Sequence, residues 1–488
     1  MLDDPLPALN ADRLVEVLNN NMRDRSSMAP GYFNEADPAR ILGEYPLGEP
    51  FLTGPARLSG DELRALQEQR FATLLRRGWQ IPFYRRHWGS VGIEPGDVRS
   101  IDDLPKLPSF SKSDLMASVE AHPPYGDFHG MDGAKGRRSV VMHTTSGTTG
   151  TPQPLFFGAW DREVQNALLA RAYRLQGLMD DDVVHSVYGF GMVNGGHYIR
   201  EAILHFTGAR LLPAGTGLET RSEQQVELMR RFGATVIVGF ADYILKLAAV
   251  ARQKGLEPGY DLPVRMVSGH LSADGHAAMA KAWPGAAIFD WYGVGDTGII
   301  AAEGPDHDGL YIWEDAHLVE ILDPDRRTPV EAGERGNICV TVLFKNTIYP
   351  VIRFNTNDLS TLLPGRGALG INFRRLEGFR GRSDNMVKLR GINVYPTGIG
   401  AILDEIDGLN GEYVCRLVRR QEREELIVMV ETQASVADDL HALGRRVSEV
   451  LRQRLGVAVI VELMAAGDTA RLSEIDARQK PIRLIDER

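Results

Sequence analysis

Cysteine is nearly absent from this chain: two residues, Cys339 and Cys415, among 488. That scarcity excludes a disulfide-stapled scaffold and a cysteine-rich zinc site, and it suits a reducing compartment. No basic run occurs, and 55 Lys and Arg stand against 65 Asp and Glu for a net charge of −10, so no nucleic-acid partner is expected. Long apolar runs are missing too. The most apolar segment, residues 235–251, is broken by Asp242 and Lys246 and is too short to span a bilayer. Met1-Leu-Asp-Asp-Pro5 shows no positive region followed by an apolar stretch, so the expectation is a cytoplasmic protein with no export signal and no membrane partner. Low-complexity tracts and internal repeats are also lacking. What is present is ordinary for a well-packed globular chain: 43% hydrophobic and 25% charged residues. The length sets an expectation of roughly three units of about 150 residues each.

Residues 61–77 carry Leu63, Leu66, Phe71, Leu74 and Leu75 at helical spacing, which predicts one buried face. From about residue 138 the texture becomes an alternation of apolar strands (139–143, 183–188, 209–213, 235–240, 286–291) and amphipathic helices (196–206, 222–232, 273–283). Strands separated by helices imply a mostly parallel sheet covered on its faces, with ligands beyond the carboxyl ends of the strands. Residues 310–375 instead read as antiparallel strands with turns between them, and 381–391 as a polar, glycine-bounded linker. Beyond lie strands at 413–419, 425–431 and 458–463 and a helix at 437–455. The expected fold is α/β: a large amino-terminal domain of parallel sheets and helices with a small antiparallel β subdomain (1–380), a linker (381–391), and a small α+β carboxy-terminal domain (392–488).

Four stretches carry chemistry. Thr144-Thr-Ser-Gly-Thr-Thr-Gly-Thr-Pro152 follows a strand directly, and its glycines, hydroxyls and exposed N–H groups could surround a phosphate; the alternative is a polar surface turn. It is not a P-loop, because Thr151-Pro152 stands where Lys-Ser/Thr must follow the second glycine. Asp290-Trp-Tyr-Gly-Val-Gly-Asp-Thr-Gly298 contains a literal G-x-G-x-x-G, but only five residues separate it from Gly304-Pro305, leaving no room for the helix a dinucleotide site needs. Tyr292 could instead stack on a purine while Asp296 offers an oxygen to Mg²⁺; the plain alternative is a strand-ending turn with an aromatic plug. In Arg353-Phe-Asn-Thr-Asn-Asp-Leu359, the Asp358 carboxylate could accept from both ribose hydroxyls, or serve as a turn acid. Lys480, in Arg478-Gln-Lys-Pro-Ile-Arg483, is either functional or a solvated surface lysine.

Together and in this order, these segments resemble the acyl-adenylate-forming superfamily of acyl-CoA synthetases, peptide-synthetase adenylation domains and luciferases. The likeness runs from about Ile81 to the carboxy terminus. The segments 348–359, 381–396, Tyr188-Gly-Phe-Gly191, Gly309-Leu-Tyr-Ile-Trp-Glu-Asp315 and 480–486 resemble the phenylacetate–CoA ligase branch. The resemblance implies two steps: a carboxylate attacks the α-phosphate of Mg·ATP to give acyl-AMP and pyrophosphate, and a thiol, usually that of coenzyme A, then displaces AMP. It assigns Ser146, Gly147, Thr148, Thr149, Gly150 and Thr151 to the phosphates, Asp296 to the metal, Tyr292 to adenine and Gly269 and His270 to its edge. Asp290, Trp291, Gly293 and Thr297 flank them, Asp358 takes the ribose, and Arg382 and Lys388 join the nucleotide site. Lys480 becomes the catalytic cation between carboxylate and α-phosphate, and Asp384 the hinge on which a mobile carboxy-terminal domain swings. Tyr188, Phe190, Met192, Gly195, Gly196, His197 and Phe240 become the acyl pocket, whose aromatic and small residues suit a flat ring.

A homodimer is implied by the branch, and a carrier-protein thiol or an amine is the alternative acceptor to coenzyme A. A nucleotide binder without catalysis is a third reading, disfavoured by the presence of Lys480, Asp358 and Asp384. A thiol-rich zinc site, which some relatives carry after the adenine motif, is not expected because Asp306-His307-Asp308 offers no thiol. Thr151, Gly295-Asp296, Asn355 and Asn357 depart from the family's lysine, Ser/Thr-Glu pair and arginines, and predict weaker ATP binding than the family norm.

Overall fold

The computed structural model describes residues 32–131, 139–145, 152–271, 275–383, 387–389, 392–420, 423–433, 440–475 and 481–488. Near the amino end, helix α1 (Gly60–Gly78) starts at a capping box: Ser59 N–H donates to Glu62 Oε2 at 2.8 Å and Glu62 N–H to Ser59 Oγ at 3.3 Å. Leu63, Phe71, Leu74 and Leu75 are buried as their spacing predicts, while Gln67 rather than Leu66 completes the face, its amide donating to the Glu314 carbonyl at 2.9 Å.

The hairpin of β1 (Val140–Thr144) and β2 (Pro154–Gly158) leads into α2 (Ala159–Leu175), which is buried along nearly its whole length. After β3 (Val183–Ser186), α3 begins at Asn194 and runs to Phe206, two residues earlier than expected. There follow β4 (Arg210–Pro213), α4 (Ser222–Phe232), β5 (Val236–Phe240), α5 (Ala241–Gln253), β6 (Met266–His270), α6 (Gly275–Ala282) and β7 (Ala287–Val294). Strands β4, β3, β5, β6 and β7 are neighbours in that order and all parallel. Alternate residues of β5 enter different cores: Val236 and Val238 face the cluster containing α2 and α3, and Ile237 faces the one containing α4, α5 and α6. The sheet is therefore covered on both faces, as a parallel sheet must be.

At β7 the sheet changes character. Residues 298–303, dismissed at the sequence level as too short for a helix, form strand β8 (Gly298–Glu303), antiparallel to β7. Gly298 turns the chain at φ 71°, a conformation in which a β-carbon is strained. Antiparallel pairing then continues through β9 (Leu310–Ile312), β10 (His317–Leu322), β11 (Arg335–Val342), β12 (Phe354–Leu363) and β13 (Arg375–Leu376). The expected antiparallel strands thus join the parallel half edge to edge in one eleven-stranded sheet.

The carboxy-terminal part holds the hairpin β14 (Val387–Leu389) and β15 (Ile392–Val394), then β16 (Leu409–Arg420), β17 (Arg423–Thr432), α7 (Leu440–Leu455), β18 (Ile460–Met464) and β19 (Leu484–Asp486). Its sheet runs β18-β17-β16-β19, and its own core gathers Val387, Leu389, Ile399, Leu403, Leu417, Val428 and Leu451. Arg382 still pairs with Asp358 of β12. The Arg483 guanidinium reaches Asp242, at the start of α5, at 3.6 Å.

Candidate active site

Loops after parallel strands converge at one edge of the sheet, and many of the described sequence-identified residues fall there, while Asp358 stands within antiparallel β12 and Arg382 in the segment after β13. Residues 188–197 follow β3, Phe240 ends β5, Gly269 and His270 end β6, and Asp290 to Thr297 run along β7 into the turn before β8. Gly269 is required by packing: a β-carbon there would lie 1.9 Å from the Gly239 carbonyl oxygen of the adjacent strand.

Tyr292, Asp358 and Arg382 form one network. The Tyr292 hydroxyl donates to Asp358 Oδ2 at 2.7 Å and lies 3.2 Å from Thr356 Oγ1, while Arg382 Nη1 donates to Asp358 Oδ1 at 2.9 Å. Burial and the neighbouring Asp358 charge keep the Tyr292 hydroxyl protonated. Beside it, His270 Nδ1 donates to the Trp291 carbonyl at 3.2 Å, its ring 4.1 Å from Trp291 and stacked on Phe240 at 5.0 Å. Asp290 is sealed beneath the strand. Its Oδ1 accepts from the N–H groups of Leu271 (3.0 Å) and Trp291 (2.8 Å), and burial, with Glu303 nearby, pushes its carboxyl up to about 8. Glu303 itself accepts from Asp290 N–H at 2.7 Å, His276 at 2.8 Å and His307 at 2.9 Å, and so braces the motif from behind.

Asp296 lies in the turn, 4% exposed. Its Oδ1 accepts from Gln153 Nε2 at 2.6 Å and the Tyr349 hydroxyl at 2.7 Å, leaving Oδ2 without a hydrogen bond among the described residues. Burial raises its carboxyl, opposed by Tyr349 and by the charge of Lys345. Lys345 is wholly buried, donates to the Asp296 backbone carbonyl at 2.7 Å and sits 4.3 Å above the Tyr349 ring; burial pushes its ammonium down to about 8. Gln153 also links this turn to the phosphate-loop candidate, since Thr145 N–H donates to its carbonyl at 3.0 Å and its own N–H donates to Thr145 Oγ1 at 3.2 Å. One free carboxylate oxygen fits Mg²⁺, which keeps most of its waters and takes one or two carboxylates.

The acyl-pocket candidates split into two groups. Tyr188 is buried against Phe240, at 5.0 Å between rings, and donates to the Gly239 carbonyl at 3.2 Å. Phe190, His197 and Met192 stand further out: the Phe190 and His197 rings are 5.4 Å apart, His197 Nε2 donates to the Gly191 carbonyl at 2.9 Å, and Met192 is 50% exposed. Gly195 and Gly196 form the first turn of α3, and Gly293 and Thr297 bound the β7–β8 turn. Ser146, Gly147, Thr148, Thr149, Gly150, Thr151, Asp384 and Lys480 lie outside the described residues, as does the side chain of Lys388.

Lys345, Gln153, Tyr349, Arg162 and His143 belong to this neighbourhood and were missed in the sequence. Two left a trace there: Lys345, as a lone cation closing the apolar run Val340-Thr-Val-Leu-Phe344, and Tyr349, inside the 348–359 segment though with no role assigned.

Residues 100–342 match the AMP-binding enzyme family, and residues 391–488 match the AMP-binding enzyme C-terminal domain. Phenylacetate-coenzyme A ligase of Escherichia coli (strain K12) is 31% identical over 426 residues, covering 85% of this chain and 93% of the relative. Among solved structures, a 2-hydroxyisobutyryl-CoA ligase in its postadenylation state, in complex with R3-HIB-AMP, matches with a TM-score of 0.79 at 26% identity, covering 90% of this chain and 92% of that one. The same ligase with 2-HIB-AMP and CoA in the thioesterification state matches with a TM-score of 0.63 at 28% identity, covering 88% and 91%.

Proposed function

Because the chain belongs to the AMP-binding enzyme family of adenylate-forming CoA ligases, we propose that it activates an aromatic carboxylic acid as its acyl-AMP and transfers the acyl group to coenzyme A. The observation that carries this reading is the Tyr292–Asp358–Arg382 network, which ties the last parallel strand to β12 and the segment after β13, with the buried Asp296 carboxylate four residues beyond Tyr292. Relatives bound to acyl-AMP and CoA support coenzyme A as acceptor over a carrier thiol or an amine.

In this reading a carboxylate oxygen attacks the α-phosphorus of ATP, the bond to the β-phosphate oxygen breaks, and pyrophosphate leaves. Two anions must meet in line, so the site has to orient them and neutralise charge. Asp358, held between the Tyr292 hydroxyl and Arg382, presents its carboxylate to the ribose hydroxyls. Gly269, His270 and Trp291 form the wall beside the base, and the 146–151 loop takes the terminal phosphates. Asp296 would hold Mg²⁺, which when bound screens the phosphate charge. Lys480 supplies the ammonium between carboxylate and α-phosphate. The thiol sulfur then attacks the acyl carbonyl carbon and AMP departs.

The fit to the postadenylation state, better than to the CoA-bound state of the same relative, supports a carboxy-terminal lobe standing in the acyl-AMP arrangement. Arg483, three residues beyond Lys480, makes its contact with Asp242 in that arrangement. The Lys480→Ala variant tests the assignment. It should lose acyl-AMP formation yet still make thioester from supplied acyl-AMP; equal loss in both half-reactions would refute the role.

A further inference from the structure

Arg162 and His143 border the acyl-pocket candidates and play no part in the scheme above. Arg162, in the first turn of α2, is buried with its side chain 1% exposed. Its Nε donates to Glu201 Oε2 at 2.6 Å and its Nη1 to Asn194 Oδ1, the residue that opens α3 beside Gly195 and Gly196. The guanidinium lies 5.4 Å from the Phe157 ring and 5.9 Å from the Tyr198 ring. Its Nη2, buried, meets no partner among the described residues. His143, on β1, is 5% exposed. Its Nδ1 faces the Met192 carbonyl at 3.3 Å, and its ring lies 5.1 Å from that of His197. With the proton on Nδ1, the other nitrogen is a bare acceptor, and it too is buried without a partner among the described residues. Burial first, then the Arg162 charge, holds this imidazole neutral by pushing it down to about 4. The Gln165 amide, one turn along α2, is likewise unpartnered and extends the polar floor.

Buried polar groups are almost always satisfied, and leaving them bare costs free energy. The pocket residues Met192, Gly195, Gly196 and His197 share this corner with one unpaired donor and one unpaired acceptor. A hydrocarbon ring would cover both without satisfying either. A second carboxylate would set an anion against the His143 lone pair, and Glu201 already balances the Arg162 charge. A hydroxyl is one neutral group that can bond either kind of atom, accepting from an N–H such as Nη2–H and donating to a bare nitrogen such as Nε2. Resting on the ligase reading, we propose that the acid activated here carries a hydroxyl group, with Arg162 and His143 as the residues that select it. A relative bound to 2-HIB-AMP, a 2-hydroxyisobutyryl-CoA ligase, fits the same class.

The test is acid-dependent ATP–pyrophosphate exchange with matched pairs: phenylacetate and its ring-hydroxylated forms, benzoate and the hydroxybenzoates, isobutyrate and 2-hydroxyisobutyrate. At least one hydroxylated acid should exceed its parent by about 100-fold in kcat/KM, because a site built to bond a hydroxyl rejects the analogue lacking it. The double variant R162M/E201Q, which leaves no lone buried charge, and H143L should each shrink that ratio to below about tenfold while the parent acid is still used. A role confined to folding would lower both acids together and leave the ratio alone. Parent acids used as well as hydroxylated ones, or a ratio unchanged in both variants, would overturn the proposal while leaving the ligase reading intact. Exchange with no acid of either kind would overturn the ligase reading, and this one with it.

Discussion

Replacing Lys345 with methionine removes a buried ammonium from beside Asp296 while nearly preserving side-chain length. The ammonium donates to the Asp296 backbone carbonyl at 2.7 Å, and the carboxylate of the same residue is one of the two groups opposing its loss of charge on burial. A unit charge pair at 4 Å is worth about 4 kcal/mol at an effective dielectric of 20. The carboxylate is further off than the carbonyl, so its share of that attraction is smaller, about 2 kcal/mol. The Asp296 carboxyl, already raised by burial, should rise further once the lowering charge of Lys345 is gone. If ionised Asp296 is needed for acyl-AMP formation, the acid limb of the pH–rate profile moves to higher pH in Lys345→Met. Activity should then recover partly in alkaline buffer. Stability should fall as well, since the Asp296 carbonyl loses its donor and the buried Asp296 and Asp161 charges lose a cation, even though methionine keeps the packing against Phe157 and Tyr349. The assay is ATP–pyrophosphate exchange across pH, with urea unfolding as control. An acid limb that stays in place, or moves to lower pH, would refute the electrostatic coupling.

Other outcomes follow from the same geometry. The Asp290 carboxyl sits at about 8 in the folded chain against an ordinary 3.8, so the stability it carries is complete below about pH 4 and drains away as pH rises toward 8. Asp290→Asn should therefore gain on the parent protein with rising pH, by at most ~1.4 kcal/mol per pH unit, and parallel pH dependences of the urea midpoints would contradict this. Tyr292→Phe loses a 2.7 Å hydrogen bond to a carboxylate and should raise KM for ATP about tenfold, with kcat changed less. Arg171 and Asp315 make a fully buried bidentate pair at 2.9 Å. Arg171→Met should cost about 3–5 kcal/mol in guanidinium unfolding, and Arg171→Met with Asp315→Leu should recover most of it.

Most of the parallel half was legible because its strands are short apolar runs ended by turn residues, as at Val236–Phe240 and Ala287–Val294; β6 (Met266–His270) was not anticipated. The candidate site was legible for a different reason: Asp296 stands in a polar turn, and Tyr292 and Asp358 sit within strands β7 and β12 in short motifs whose order along the chain resembles the family. Strand β8 was not, because five residues between glycines have too little pattern to separate strand from turn, and only pairing with β7 decides. The early start of α3 at Asn194 overrides the poor helix propensity of Gly195 and Gly196, through the hold of Arg162 on the Asn194 side chain. Arg162 and Lys345 were invisible as buried charges. A lone cation in a helix or after a strand normally reads as solvated, and the sequence does not reveal that α2 is enclosed from all sides.

The most direct measurement is product analysis by mass spectrometry after incubating the protein with ATP, Mg²⁺ and a panel of aromatic and hydroxylated acids, with and without coenzyme A. The account predicts AMP and acyl-CoA in equal amounts only when acid and coenzyme A are both present, with acyl-AMP retained when coenzyme A is withheld. ADP as the nucleotide product, or AMP released with no thioester formed, would contradict it.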